Sequence, residues 1–142
     1  MRTLKRTISL MSVVAVLASG LIGESAIAQE APGKVFELRT YKATPGNLDN
    51  LLARFRNHTM RIFEKHGMTN IGYWIPTDEA ESADTLVYLL SHESQEAATN
   101  SWRAFSQDPE WQQVNADSNA NGPILDSVQR KYMTAADFSQ LK

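Results

Sequence analysis

No cysteine occurs anywhere in the 142 residues, which removes disulfides, thiolate metal sites, thiol nucleophiles and a lipoprotein anchor together. Packing alone has to hold the chain. A basic cluster is also missing beyond the first few residues: after Ala28, 11 Lys and Arg face 15 Asp and Glu, a net charge of −4. That balance argues against a nucleic-acid partner. There is no nucleophile elbow, Walker loop, dinucleotide fingerprint or zinc-protease helix, so covalent and phosphoryl-transfer chemistry have no support and neither a metal nor any other cofactor is expected. One long apolar run exists, Ile8 to Ile22. It falls short of the ~20 residues that span a bilayer, and Ser12, Ser19 and Gly20 interrupt it.

What the chain does contain begins with that run. Arg2, Lys5 and Arg6 precede it, and "AIA", with Ala26 and Ala28, follows. A basic start, an apolar middle and a small-x-small site are the parts of a secretory signal peptide, cleaved before Gln29. The expectation is a signal peptide over residues 1–28 and a single domain over 29–142, whose 114 residues suffice for one modest core. The product is expected to be periplasmic or secreted, with no membrane attachment after cleavage.

The stretch "KVFELRTYKATPG", Lys34 to Gly46, reads as a strand leading into a helix. Alternation puts Phe36, Leu38 and Thr40 on one face and Val35, Glu37, Arg39 and Tyr41 on the other. Leu48, Leu51, Leu52, Phe55, Thr59, Ile62, Phe63 and His66 then recur at helical spacing, with Pro45 near the first turn and Gly67 as the stop. "TNIGYWIP" predicts a second strand, "TDEAESAD" a linker and "TLVYLLSHE" a third strand. Ser94 is placed to cap a second helix bearing Ala98, Trp102 and Phe105. Asp108 before Pro109 marks a further short helix carrying Trp111 and Val114. "NADSNANGP" reads as a loop, and a last strand falls near Ile124 to Met133.

The order βαββαβ is the ferredoxin-like arrangement of the α+β class, two helices on one face of a four-stranded antiparallel sheet. Both faces of this sheet are apolar, however. The second strand offers Ile71, Tyr73 and Ile75 against Trp74, and the third Leu86, Tyr88 and Leu90 against Val87 and Leu89. Helices suffice for one face, so a second copy is expected to cover the other. The expected homodimer interface is the face of Val35, Glu37, Arg39 and Tyr41.

"FELRTYKATPG", the helix ending in "FEKHGM", the "IGYW" strand and "DPEW" before the last loop together resemble the NIPSNAP family over nearly all of the mature chain. The resemblance implies a dimeric α/β barrel, two ferredoxin-like sheets closed against each other, akin to cofactor-free monooxygenases and haem-degrading proteins. It implies no activity, because one fold hosts many functions.

Seven residues are candidate ligand contacts: Glu37, Arg39, Tyr41, Tyr73, Trp74, Tyr88 and His92. Glu37 and Arg39 either satisfy each other, or Arg39 orients a ligand anion while Tyr41 donates a hydrogen bond. Tyr73, Trp74 and Tyr88 are core or interface aromatics, or the wall of a site for a flat apolar molecule. Trp102, Phe105 and Trp111 read as packing. His66 sits where an imidazole complements a helix C-terminus, His58 reads as exposed, and His92 is a candidate base or axial ligand at a barrel mouth. Two functions fit: a homodimeric module that binds a small apolar or aromatic molecule in its barrel, or a cofactor-independent oxygenase or isomerase. The enzyme requires a base of raised pKa, which only Glu37 or His92 could supply.

Overall fold

A computed structural model describes residues 33–142, so the expected signal peptide lies outside the described residues. Strand β1 (Val35–Ala43) runs into α1 (Leu48–Arg54), a π-helical turn (Phe55–Thr59) and α2 (Met60–Lys65). Then follow β2 (Thr69–Trp74), α3 (Glu79–Ser82), β3 (Thr85–His92), α4 (Gln95–Gln107), α5 (Pro109–Ser118) and β4 (Leu125–Thr134). The sheet order is β2-β3-β1-β4 with every neighbouring pair antiparallel. This is the ferredoxin-like βαββαβ topology. Among the described residues no helix is long and apolar enough to cross a membrane.

Local chemistry sets the boundaries. Gly46 and Gly67 flank the first helical segment at φ +78° and +75°, a conformation that favours glycine because it has no Cβ to clash. The Ser94 hydroxyl accepts from the Ala97 amide at 3.0 Å and starts α4. Asp108 does the same for α5 through the Glu110 amide at 2.8 Å, with Pro109 in the first turn.

Three details differ from the sequence expectation. The long helix widens into a π turn at its middle, where the Thr59 hydroxyl donates to the Arg54 carbonyl at 3.3 Å. The linker after β2 contains the one-turn helix α3. The residues "NADS" close α5 instead of opening the loop, because a polar run is equally at home on an exposed helical face, and the loop begins at Asn119.

The larger correction concerns the two faces of the sheet. Glu37 lies opposite Leu90, Arg39 opposite Tyr88 and Tyr41 opposite Leu86, and cross-strand partners share a face. Phe55, Phe63 and Trp102 from the helices pack on these residues. The face of Val35, Glu37, Arg39 and Tyr41 is therefore the helix-covered one, and it is not available as a dimer interface. A polar pair on a strand looked like an outward face, whereas it is satisfied inside the domain. In β2 the register slips between Asn70 and Gly72. Asn70 and Tyr73 thus share the helix side, and Gly72 and Trp74 point to the other.

The core lies between sheet and helices. Tyr88, Leu51, Ile62 and Leu90 are fully buried, Phe63 nearly so, and Phe55 and Phe105 belong to the same cluster. On the opposite face Leu38, Val87 and Leu89 are half-buried and Trp74 is 53% exposed. No helix among the described residues covers that side.

Candidate functional site

Six of the seven candidate residues gather on the helix side of the sheet. Their centre is Glu37, with no exposed surface. Arg39 Nη1 donates to its Oε1 at 2.7 Å, while His92 Nε2 at 2.9 Å and Trp102 Nε1 at 2.6 Å meet Oε2. Strands β1 and β3 and helix α4 each supply a donor, so one carboxylate ties the second half of the domain to the first. An ionised carboxylate only accepts, so His92 Nε2 is the donor in its pair.

Arg39 is also held by faces. Its guanidinium carbon sits 4.1 Å from the centre of the Trp102 ring and 5.4 Å from that of Tyr41, two cation–π contacts that offset part of the cost of burying the charge. Tyr41 and Tyr88 meet edge to face at 5.1 Å, and Tyr73 stacks on Tyr88 at 5.3 Å. The Tyr88 hydroxyl, Arg39 Nε and His92 Nδ1 are buried without a partner.

The electrostatics of Glu37 speak against its acting as a general base. Burial alone would push the Glu37 carboxyl up, but the bonds from His92, Trp102 and Arg39 and the charge of Arg39 outweigh it and hold the group below its usual value. A base poised near neutrality needs the opposite shift. Burial pushes the Tyr88 and Tyr73 phenols well above their usual value, so both stay neutral donors. His92 is buried and bonded to Glu37, and among the described residues no cluster of His, Asp and Glu could hold a metal ion.

A second polar knot fixes the helices to each other. Asp108 Oδ2 lies 2.6 Å from His66 Nε2 and 2.7 Å from Lys65 Nζ. His66 is thus the C-cap residue of α2 and a strap to the start of α5. Bonds from Lys65 and His66 hold Asp108 far below the usual carboxylate range.

These two carboxylates make the fold acid-sensitive. Both have lowered values in the folded state, so their contribution is complete above the unfolded values, near 4.5 for Glu37 and 3.8 for Asp108. It is lost as pH falls through the folded values. The thermal midpoint is expected to be level around neutrality and to fall below pH 4.5, with a shallower fall in Glu37→Gln. A profile that stays level far below that pH contradicts this assignment.

Two residues of this interior were not anticipated as polar partners. Trp102 reads in sequence as packing, yet its indole nitrogen serves Glu37; the signal was its place on the inward stripe of α4. Arg54 is 5% exposed between α1 and α5, and only the register of its helix, with Leu51 and Phe55 beside it, hints that it turns inward. Of the original candidates Trp74 stands apart, on the uncovered face. His58 is exposed, as expected.

The sequence profile of the NIPSNAP family matches residues 36–140. Among solved structures, a NIPSNAP-like domain protein from Burkholderia xenovorans is 22% identical, covering 75% of this chain and 88% of that one with a TM-score of 0.65. NIPSNAP family proteins from Agrobacterium tumefaciens are similar at 20% identity, 78% and 95% coverage and TM-score 0.65, and at 18% identity, 77% and 99% coverage and TM-score 0.67. At these identities the likeness speaks to fold. No curated protein matches the sequence.

Proposed function

Because the chain belongs to the NIPSNAP family, we propose that it acts as an exported homodimeric binding module, in which two uncovered sheet faces close on each other and hold a small apolar or aromatic molecule between them. The observation that carries this reading is the contrast between the two faces. One is covered by helices, with Glu37 and Arg39 paired beneath them. The other presents Leu38, Val87, Leu89 and the half-exposed Trp74 with no helix over them. Exposed apolar area of this kind marks an interaction surface, and a two-fold interface sets the same patch against itself.

Trp74 supports the ligand part. Its ring folds back over Gly72, where a Cβ would come within 2.5 Å of the ring edge. Glycine lets the indole lie against the sheet as a flat apolar wall. Binding is favoured over turnover because the Glu37 carboxylate, one of the two candidate bases, accepts from three donors and is held below its usual value, opposite to what an oxygenase or isomerase base needs.

Native mass spectrometry of the periplasmic protein tests the ligand. The expected species is a dimer carrying additional small-molecule mass that is released on denaturation and diminished in Gly72→Ala, where the added methyl displaces Trp74. A dimer free of bound mass, unchanged by apolar or aromatic compounds, would reduce the module to a dimer without cargo.

A further inference from the structure

Four charged residues of the described chain are buried: Glu37, Arg39, Arg54 and Asp108. Three have opposite charges within ion-pair distance, Glu37 with Arg39 and Asp108 with Lys65. Arg54 has none. Its Nη1 donates to the Ser118 hydroxyl at 3.1 Å, its guanidinium carbon lies 5.2 Å from the centre of the Trp111 ring, and its Nε is buried without an acceptor. Burial works against its charge, since the nearby Tyr41 and Tyr88 are phenols rather than carboxylates.

The same arginine lines a cleft of about 430 Å³ between the first helical segment, α5 and the loop after it. Asn50, Asn57, His58, Asp117 and Ser118 share the lining. Asp117 accepts from Gln113 Nε2 at 2.8 Å and is not within ion-pair distance of Arg54 among the described contacts. Asn57 and His58 lie in the π turn that begins directly after Arg54, and such insertions recur at functional sites because they turn side chains off the regular helical stripe.

A buried cation left without a counter-charge is costly to a fold, and the two comparable charged sites in this domain avoid that cost by pairing. We propose that the missing counter-charge is a ligand's: the cleft binds the oxyanion group of a small molecule, a carboxylate or a phosphate, through the Arg54 guanidinium, with the amides of Asn50 and Asn57 and the His58 ring around it. A planar fork with free donors is suited to a two-oxygen acceptor. The cleft lies within one chain on the helix side of the sheet, so it does not depend on dimerisation or on a molecule held at the uncovered face.

The test follows the Arg54 Nε–Hε resonance of the full mature protein while sodium succinate and inorganic phosphate are added separately at constant ionic strength. A saturable shift is expected. Response to succinate alone assigns an organic acid, and response to phosphate alone assigns a phosphate group. Calorimetric binding of the responding anion should vanish in Arg54→Met, whose thermal midpoint should equal or exceed that of the wild type because an unpaired buried charge is gone. Should Arg54→Met fail to fold, Arg54→Lys keeps the charge but loses the fork and should bind at least about tenfold more weakly. No saturable shift with either anion overturns the proposal, as does undiminished binding in the folded variants.

Discussion

Glu37→Ala is expected to cost about 3–5 kcal/mol of folding stability, the range for stripping one partner from a buried ion pair. Three donors lose their acceptor at once: Arg39 Nη1, His92 Nε2 and Trp102 Nε1. The Arg39 charge then remains under α4 with only aromatic faces for company. Arg39→Ala should be milder, about 1.5–3 kcal/mol, the usual value of a hydrogen bond to a charged group, because His92 and Trp102 still serve the carboxylate. Replacing both, as Glu37→Leu with Arg39→Met, removes the charges together and should recover part of the loss. Denaturant unfolding of the three variants measures this order. Equal costs for the two single variants would show that Arg39 alone matters to Glu37, and that the donors from β3 and α4 contribute nothing.

Phe63→Ala is expected to cost a similar amount, about 3–5 kcal/mol, by a different route. Phe63 is 1% exposed and its ring centre lies 5.0 Å from Phe105, 5.3 Å from Trp102 and 6.1 Å from both Phe55 and Tyr88. Truncation opens a hole where α2 and α4 meet over the sheet. With no disulfide or metal expected to hold the domain, little else compensates. Phe63→Leu keeps most of the volume and should cost less than about 1.5 kcal/mol. Thermal unfolding separates the pair, since at this domain size each kcal/mol moves the midpoint by roughly 4–8 °C. A loss below about 1 kcal/mol in Phe63→Ala would mean that the surrounding rings collapse into the space.

Much of this architecture can be read from residue order. Apolar spacing from Leu48 to Phe63, the stop at Gly67, and the caps at Ser94 and Asp108 are local signals, and each acts within a few residues of where it stands. The βαββαβ order follows from them. Which face of β1 turns inward is not local. Glu37 and Arg39 resemble an outward pair until His92, 55 residues away, and Trp102, 65 residues away, close on the carboxylate. No periodicity carries that information. The slip in β2 escaped for a related reason: strict alternation puts Ile71 with Tyr73, and only pairing with β3 shows that Asn70 takes the inward place. Arg54 was hidden because a long polar side chain on a helix flank is ordinarily solvated, and its burial depends on α5 folding back over it.

The most direct measurement is the mass of a chain beginning at Gln29 in solution by light scattering over a dilution series through the micromolar range, beside Leu89→Lys, which sets a charge in the middle of the uncovered face. If that face joins two copies, the wild type has twice the chain mass, and Leu89→Lys, whose site is remote from the helix-side core, stays folded but falls to the mass of one chain. A wild type that remains a stable monomer throughout, or a Leu89→Lys variant as dimeric as the wild type, contradicts a barrel closed through this face.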